Sequence, residues 1–173
     1  MKKIITLLAV FGIVSFQSCT VNDNAPIEDN DTIPQAFEIK NKNFNYNAND
    51  GFYIYDTFNN KLGGDLYNDE TILVYRLTGS LNSSTPIWQL IPRTIYLSGG
   101  REIDYDYDFS KKDFTIYASG NYDLELTPEF LDNQTFRIVI LPSSLLSSVD
   151  KNNFSEVMSV LKINESQIQK VDL

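Results

Sequence analysis

From Ala36 to Leu141 apolar and polar residues alternate in short runs rich in β-branched and aromatic side chains. The runs are FEIK (37–40), GFYIYD (51–56), TILVYRL (71–77), PIWQLI (86–91), RTIYL (93–97), EIDYDYDF (102–109), DFTIYAS (113–119) and QTFRIVIL (134–141). A period of two is that of a strand, whose successive side chains point to opposite faces. Turn-forming residues separate the runs at 47–51, 63–64, 79–86, 99–100, 110–112 and 120–121. About eight strands joined by tight links predict a mainly β domain, an antiparallel β-sandwich or open barrel. The runs 71–77 and 134–141 carry apolar residues on both faces and are expected to be the most buried. The strongest hairpin should join 93–97 to 102–109 through SGGR, where two glycines permit the positive φ of a tight turn.

After Pro142 the period changes. Phe154, Val157, Met158 and Leu161 fall at i, i+3, i+4 and i+7, one apolar face of a C-terminal helix. Asp150 or Asn152 is the expected cap, a shorter helical turn is expected at 143–147, and the helix should close an open end or edge of the sheet.

The chain begins differently. Lys2 and Lys3 precede the nearly unbroken apolar stretch Ile4 to Val14, and Ser15, Gln17 and Ser18 lead into Cys19, the single cysteine of the 173 residues. Roughly ten apolar residues are too few for a hydrocarbon core that needs about twenty, so the stretch reads as a targeting segment. Charge, short apolar core and cysteine together resemble a bacterial lipoprotein signal, in which the cysteine is lipidated and becomes the first residue after cleavage. The usual motif has Leu three places before the cysteine and Ala or Gly just before it; Phe16 and Ser18 stand there instead. The expected organisation is a signal at 1–18, a lipidated Cys19 opening a tether at 19–35, and one β-rich domain with its C-terminal helix at 36–173. A mature chain of about 155 residues suffices for one core and not comfortably for two.

The tether TVNDNAPIEDNDTIPQ (20–35) holds four acids, two prolines and no basic residue. Low hydrophobicity with charge of one sign predicts a solvated spacer. The formal charge of −9 includes Lys2 and Lys3; without them 12 basic residues face 23 acidic ones, a balance of −11. Such a chain repels phosphate backbones, and no stretch gathers Lys and Arg among aromatics, so nucleic acid is excluded as a partner. Membrane attachment is expected through the lipid anchor alone.

An acidic stretch soon after the lipidated cysteine resembles the export signals that send lipoproteins of the phylum Bacteroidota to the outer face of the outer membrane. Asp31, Thr32 and Ile33 match that phylum's O-glycosylation pattern, which makes Thr32 a candidate site. The whole chain resembles the short β-rich lipoproteins of Bacteroidota, of flavobacterial type, through MKKIITLLAVFGIVSFQSC, the acidic tether, IWQLIP, DYDYDF, FRIVILP and LKINES. The resemblance implies a lipid-anchored outer-membrane protein, periplasmic or surface-exposed. It brings no activity, so no catalytic residue is carried over.

Candidate chemistry is sparse. With no histidine and no free thiol after lipidation, the familiar nucleophile–base arrangements and the usual zinc ligands are missing. Asp104, Asp106 and Asp108 recur at every second residue, a candidate cation ladder. Calcium needs oxygens converging on one ion, whereas strict alternation is also that of a half-wet strand, the reading favoured here. Asp65, Asp69 and Glu70 in NNKLGGDLYNDE (59–70) form a second oxygen-rich stretch, read as an exposed loop. The aromatics of YNANDGFYIYD and Trp88 offer sugar-stacking platforms, but alternating strand aromatics and a single Trp are expected to be core. The expected function is a non-catalytic envelope or surface module for an unidentified protein or glycan, with no cofactor. The alternative is a carboxylate-based hydrolase or accessory protein acting on extracellular polysaccharide.

Overall fold

The computed structural model describes residues 35–82 and 85–171. All eight predicted runs are strands, and two short ones join them. One sheet has five strands: β1 (Gln35–Lys42), β4 (Glu70–Asn82), β5 (Thr85–Ile91), β9 (Gln134–Pro142) and β10 (Gln169–Val171), in the order β10-β1-β9-β4-β5. The other sheet contains β2 (Asn45–Asn47), β3 (Gly51–Thr57), β6 (Arg93–Tyr96), β7 (Glu102–Phe109) and β8 (Asp113–Gly120), in the order β2-β3-β8-β7-β6. Every pairing is antiparallel except β1 with β10, which is parallel. The two sheets are separate, so the sandwich is formed and not the barrel.

Alternation along the strands builds the core. Phe37 and Ile39, Ile72 and Val74, and Phe136, Ile138 and Ile140 meet Ile54, Ile103, Tyr105, Phe114, Ile116 and Ala118 of the facing sheet in one buried cluster. The other parity of β4 and β9 is apolar too, with Leu73, Tyr75, Val139 and Leu141 buried. A second layer must therefore cover the back of the first sheet. It is supplied by the 3₁₀ turn Ser143–Ser148 and the helix α2 (Phe154–Val160), whose Val157 and Met158, with Leu161, Ile163 and Ile168, form the second cluster. The expected helix thus lies against a sheet face, because β4 and β9 are apolar on both sides, and it reaches the edge strand β5, where Phe154 packs on Trp88. Its cap is Asn153, whose side chain accepts from Glu156 N, not Asp150 or Asn152.

The SGGR hairpin forms as expected. β6 and β7 pair from Arg93–Tyr105 to Tyr96–Glu102, Leu97 N donates to Arg101 O at 2.8 Å, and Gly99 and Gly100 take φ of 77° and 74°. The stretch 59–70 is not all loop. Thr57 caps a short helix α1 (Phe58–Leu62), closed by Gly63 in the left-handed conformation. This turn buries Lys61, whose Nζ meets Asp56 Oδ2 at 2.8 Å. Among the described residues no helix is long and apolar enough to cross a membrane.

Candidate functional site: a charged cleft behind the first sheet

The C-terminal layer covers only part of the back of the first sheet. Beyond it, register brings Glu38 of β1 opposite Arg137 of β9, and Arg137 opposite Tyr75 of β4. Trp88 of β5 stands opposite Leu77, one step along the same face. Glu38, Arg137, Leu77 and Trp88 floor a cleft of about 580 Å³ whose rim includes Lys40, Glu165 and Lys170.

At its centre Arg137, 2% exposed, is held from two sides. Its Nε donates to Glu38 Oε1 at 3.1 Å and its Nη2 donates to the same oxygen. From the C-terminal segment Glu165 accepts two further bonds, from Nη1 at 2.8 Å and Nη2 at 3.0 Å. Lys40 Nζ lies 3.4 Å from the other Glu38 oxygen. The guanidinium is also 4.4 Å from the Trp88 ring centroid and 5.1 Å from that of Phe154. A planar cation that binds carboxylates through its edge and aromatic rings through its face is the work arginine suits and lysine does not. The arrangement ties the segment after α2 to the sheet and leaves a cleft with three cationic and two anionic side chains, one positive charge in excess on a chain of formal charge −9.

Trp88, expected in the core, is partly buried: it packs against the second cluster and also forms a wall of the cleft. It sits on an edge strand with its ring 5.7 Å from that of Phe154 at the start of α2, and its Nε1 is buried with no acceptor among the described residues. The expectation of core aromatics holds only in part at YNANDGFYIYD. Phe52 and Ile54 turn inward; Tyr55 is 54% exposed on the outer face of the second sheet, while Tyr46, 64% exposed, stands opposite Phe52 with the ring centroids 5.0 Å apart. The strand is amphipathic, with its tyrosines on the wet side.

Asp104, Asp106 and Asp108 also share that outer face, opposite buried Ile103 and Tyr105. Each meets a different group. Asp104 accepts from Thr94 Oγ1, Asp106 from Tyr107 N at 2.8 Å, and Asp108 from the Tyr117 hydroxyl at 3.0 Å. The half-wet strand is the geometry found. In 59–70, Glu70 accepts from Tyr67 N, and Asp65 and Asp69 lie exposed apart from it along the turn. Among the described residues no group of three or more His, Cys, Asp or Glu is gathered as metal ligands are. Cys19 and Thr32 lie outside the described residues.

Sequence reading missed Glu38, Arg137 and Glu165. The available signal was Arg137 itself, a lone charge inside the otherwise apolar FRIVIL, which a strand buried on both faces tolerates only with a partner. The partners lie 99 and 28 residues away, so only register reveals them. No protein family, curated protein or solved structure matches the chain.

Proposed function

We propose that the chain is a membrane-anchored bacterial lipoprotein, held at the outer membrane through lipidated Cys19, whose β-domain is a non-catalytic binding module for a protein or glycan of the envelope. The observation that carries the non-catalytic reading is the occupation of the space between Glu38 and Glu165 by Arg137, whose Nη2 is bonded to both. A glycoside hydrolase keeps its two carboxyl groups about 5–9.5 Å apart with the scissile bond between them. Here a guanidinium fills that gap and both carboxylates face it. What remains open is a rim of Lys40, Lys170 and Asn41 beside the Trp88 wall, a surface for hydrogen bonding and stacking.

Two measurements test the reading. Cys19→Ala should abolish partitioning of the mature protein into detergent; unchanged mass and partitioning would overturn the anchor. Incubation with a panel of bacterial and algal polysaccharides should release no reducing ends. Release that Glu38→Gln abolishes would replace the binding module by the hydrolase.

A further inference from the structure

A second arginine is placed differently. Arg76 follows Ile72 and Val74 on the inner parity of β4, at the end of the sandwich where the apolar core stops. It is 7% exposed, yet among the described residues no carboxylate lies within ion-pair distance of it. Its hydrogen bond there runs from Nε to Gln134 Oε1 at 2.8 Å. Gln134, itself buried, has no choice of orientation. Its Nε2 donates to Glu129 O at 2.9 Å and Asp132 O at 2.6 Å, which turns its carbonyl toward Arg76.

The guanidinium rests 4.5 Å from the centroid of Tyr105 and 5.9 Å from that of Phe130. Tyr105 does not neutralise it: burial pushes the phenol up to about 12, Arg76 pulling the other way, and the hydroxyl donates to Phe130 O at 2.6 Å. Glutamine and rings thus fix the Nε edge and a face, and leave the Nη1–Nη2 edge without an acceptor among the described residues. Arg76 lines a cleft of about 510 Å³ with Arg93, Thr78, Gln89, Thr94 and Tyr96. Glu129, exposed at the rim, is beyond ion-pair distance of Arg76.

A buried cation without a counter-ion is costly, and truncating it to a neutral side chain would remove the cost. Held rigidly at a cleft, its remaining edge is placed to meet an anion. We propose that this cleft binds the carboxylate of a small hydroxylated acid, the free edge of Arg76 taking both oxygens and Arg93 closing over them. A planar two-oxygen anion matches one fork, and Glu129 at the rim opposes the second negative charge that a phosphate dianion would bring. The rim suits hydroxyl groups. Thr78 Oγ1 donates to Ile87 O and Thr94 Oγ1 to Asp104, so both oxygens retain acceptor capacity, and Gln89 adds an amide. Tyr96, 75% exposed, offers a ring face. A uronic acid has this chemistry and size. The assignment is independent of the Arg137 cleft and of the anchor.

The test is a nuclear magnetic resonance titration of the labelled protein with D-glucuronate, and with glucose and inorganic phosphate as neutral and tetrahedral controls. Glucuronate should bind saturably with Kd of about 1 mM and shift the Arg76 Nε–H resonance and the Arg93 and Thr94 amides; neither control should. Arg93→Gln, an exposed change, should weaken binding about tenfold. Arg76→Met, which keeps the stack on Tyr105, should abolish it. Failure to saturate, shifts that spare Arg76, equal response to phosphate or glucose, or undiminished binding by Arg93→Gln would each overturn the proposal. If Arg76→Met does not fold, the wild-type shift map and Arg93→Gln decide.

Discussion

Replacing Arg137 by methionine removes the charge while keeping an unbranched stem, and leaves Glu38 in the interior at 4% exposure. The carboxylate loses its bonds from Nε and Nη2 and keeps only Lys40 at 3.4 Å, a side chain still partly in solvent. Breaking a buried ion pair by deleting one member costs about 3–5 kcal/mol. Loss of the guanidinium from the Trp88 and Phe154 faces adds about 0.5–2 kcal/mol, which methionine's own packing partly offsets. The expected total is about 4 kcal/mol, or a fall in Tm of about 10 °C for a domain of this size. Glu165 grips the same guanidinium, but its side chain is 65% exposed, so Glu165→Gln should cost at most about 1 kcal/mol. Removing both buried charges, Glu38→Met with Arg137→Met, should restore stability to within about 1 kcal/mol of wild type, since the isolated charge and not the missing pair is the burden. Urea unfolding followed by circular dichroism and by fluorescence of Trp88, the only tryptophan and one that touches the site, measures all four proteins. An Arg137→Met loss no larger than that of Glu165→Gln, or a double variant no better than Arg137→Met, would refute the reasoning.

Three further outcomes are expected. Burial alone would raise the Asp56 carboxyl, but the Lys61 ammonium and hydrogen bonds from Thr57 N and the Asn60 amide hold it below its ordinary value. The stability this contributes is therefore complete above the unfolded pKa of about 3.9 and lost as pH falls through the lower folded value. Asp56→Asn should remove that part of the acid transition and, by leaving buried Lys61 unpaired, cost about 3–5 kcal/mol at neutral pH, read by denaturation across pH. Gly120→Ala would set a Cβ 2.5 Å from Glu102 O and 2.8 Å from Leu124 Cδ2 and should lose about 1–3 kcal/mol in thermal melts, while Gly64→Ala, with nothing within 4 Å, should be near neutral. Asp106→Asn should be near neutral, and millimolar calcium should move the melting temperature of neither variant nor wild type; a calcium-dependent rise that the substitution abolishes would make β7 a cation site.

How far the chain can be read without coordinates depends on the range of the physics involved. Strand alternation is local, so all eight runs and the SGGR hairpin are visible in the letters, as is the double-sided apolarity of 71–77 and 134–141. That last property held more than was drawn from it. Two apolar faces on β4 and β9 require a cover on the back of the sheet, and the amphipathic helix at 154–161 is that cover. The three-residue strands β2 and β10 are set by pairing, with Phe37 opposite Gln169 and Asn45 opposite Tyr53, and carry too few residues for periodicity to register. Trp88 is only partly buried because cover at an edge strand depends on how far a helix distant in sequence reaches. Both arginine sites stayed hidden for the same reason. Arg76 and Arg137 are conspicuous as lone charges in TILVYRL and FRIVIL, but whether each meets a carboxylate depends on register and on segments far along the chain. One is paired twice over and the other is paired with an amide.

The parallel return of β10 bears on how the domain carries load. β1 is the first described strand, and any pull transmitted through the residues before Gln35 enters the fold there. It is not an edge. β9 runs antiparallel on one side from Gln35–Ile140 to Lys42–Gln134, and β10 lies on the other across Phe37, Glu38 and Ile39. Tension along β1 is therefore shared between two ladders, and the Glu38–Arg137–Glu165 linkage ties β1 and β9 to the turn that precedes β10. Pulled from the residues before Gln35, β1 is held by two ladders at once, and the last described strand serves as a clamp on the first.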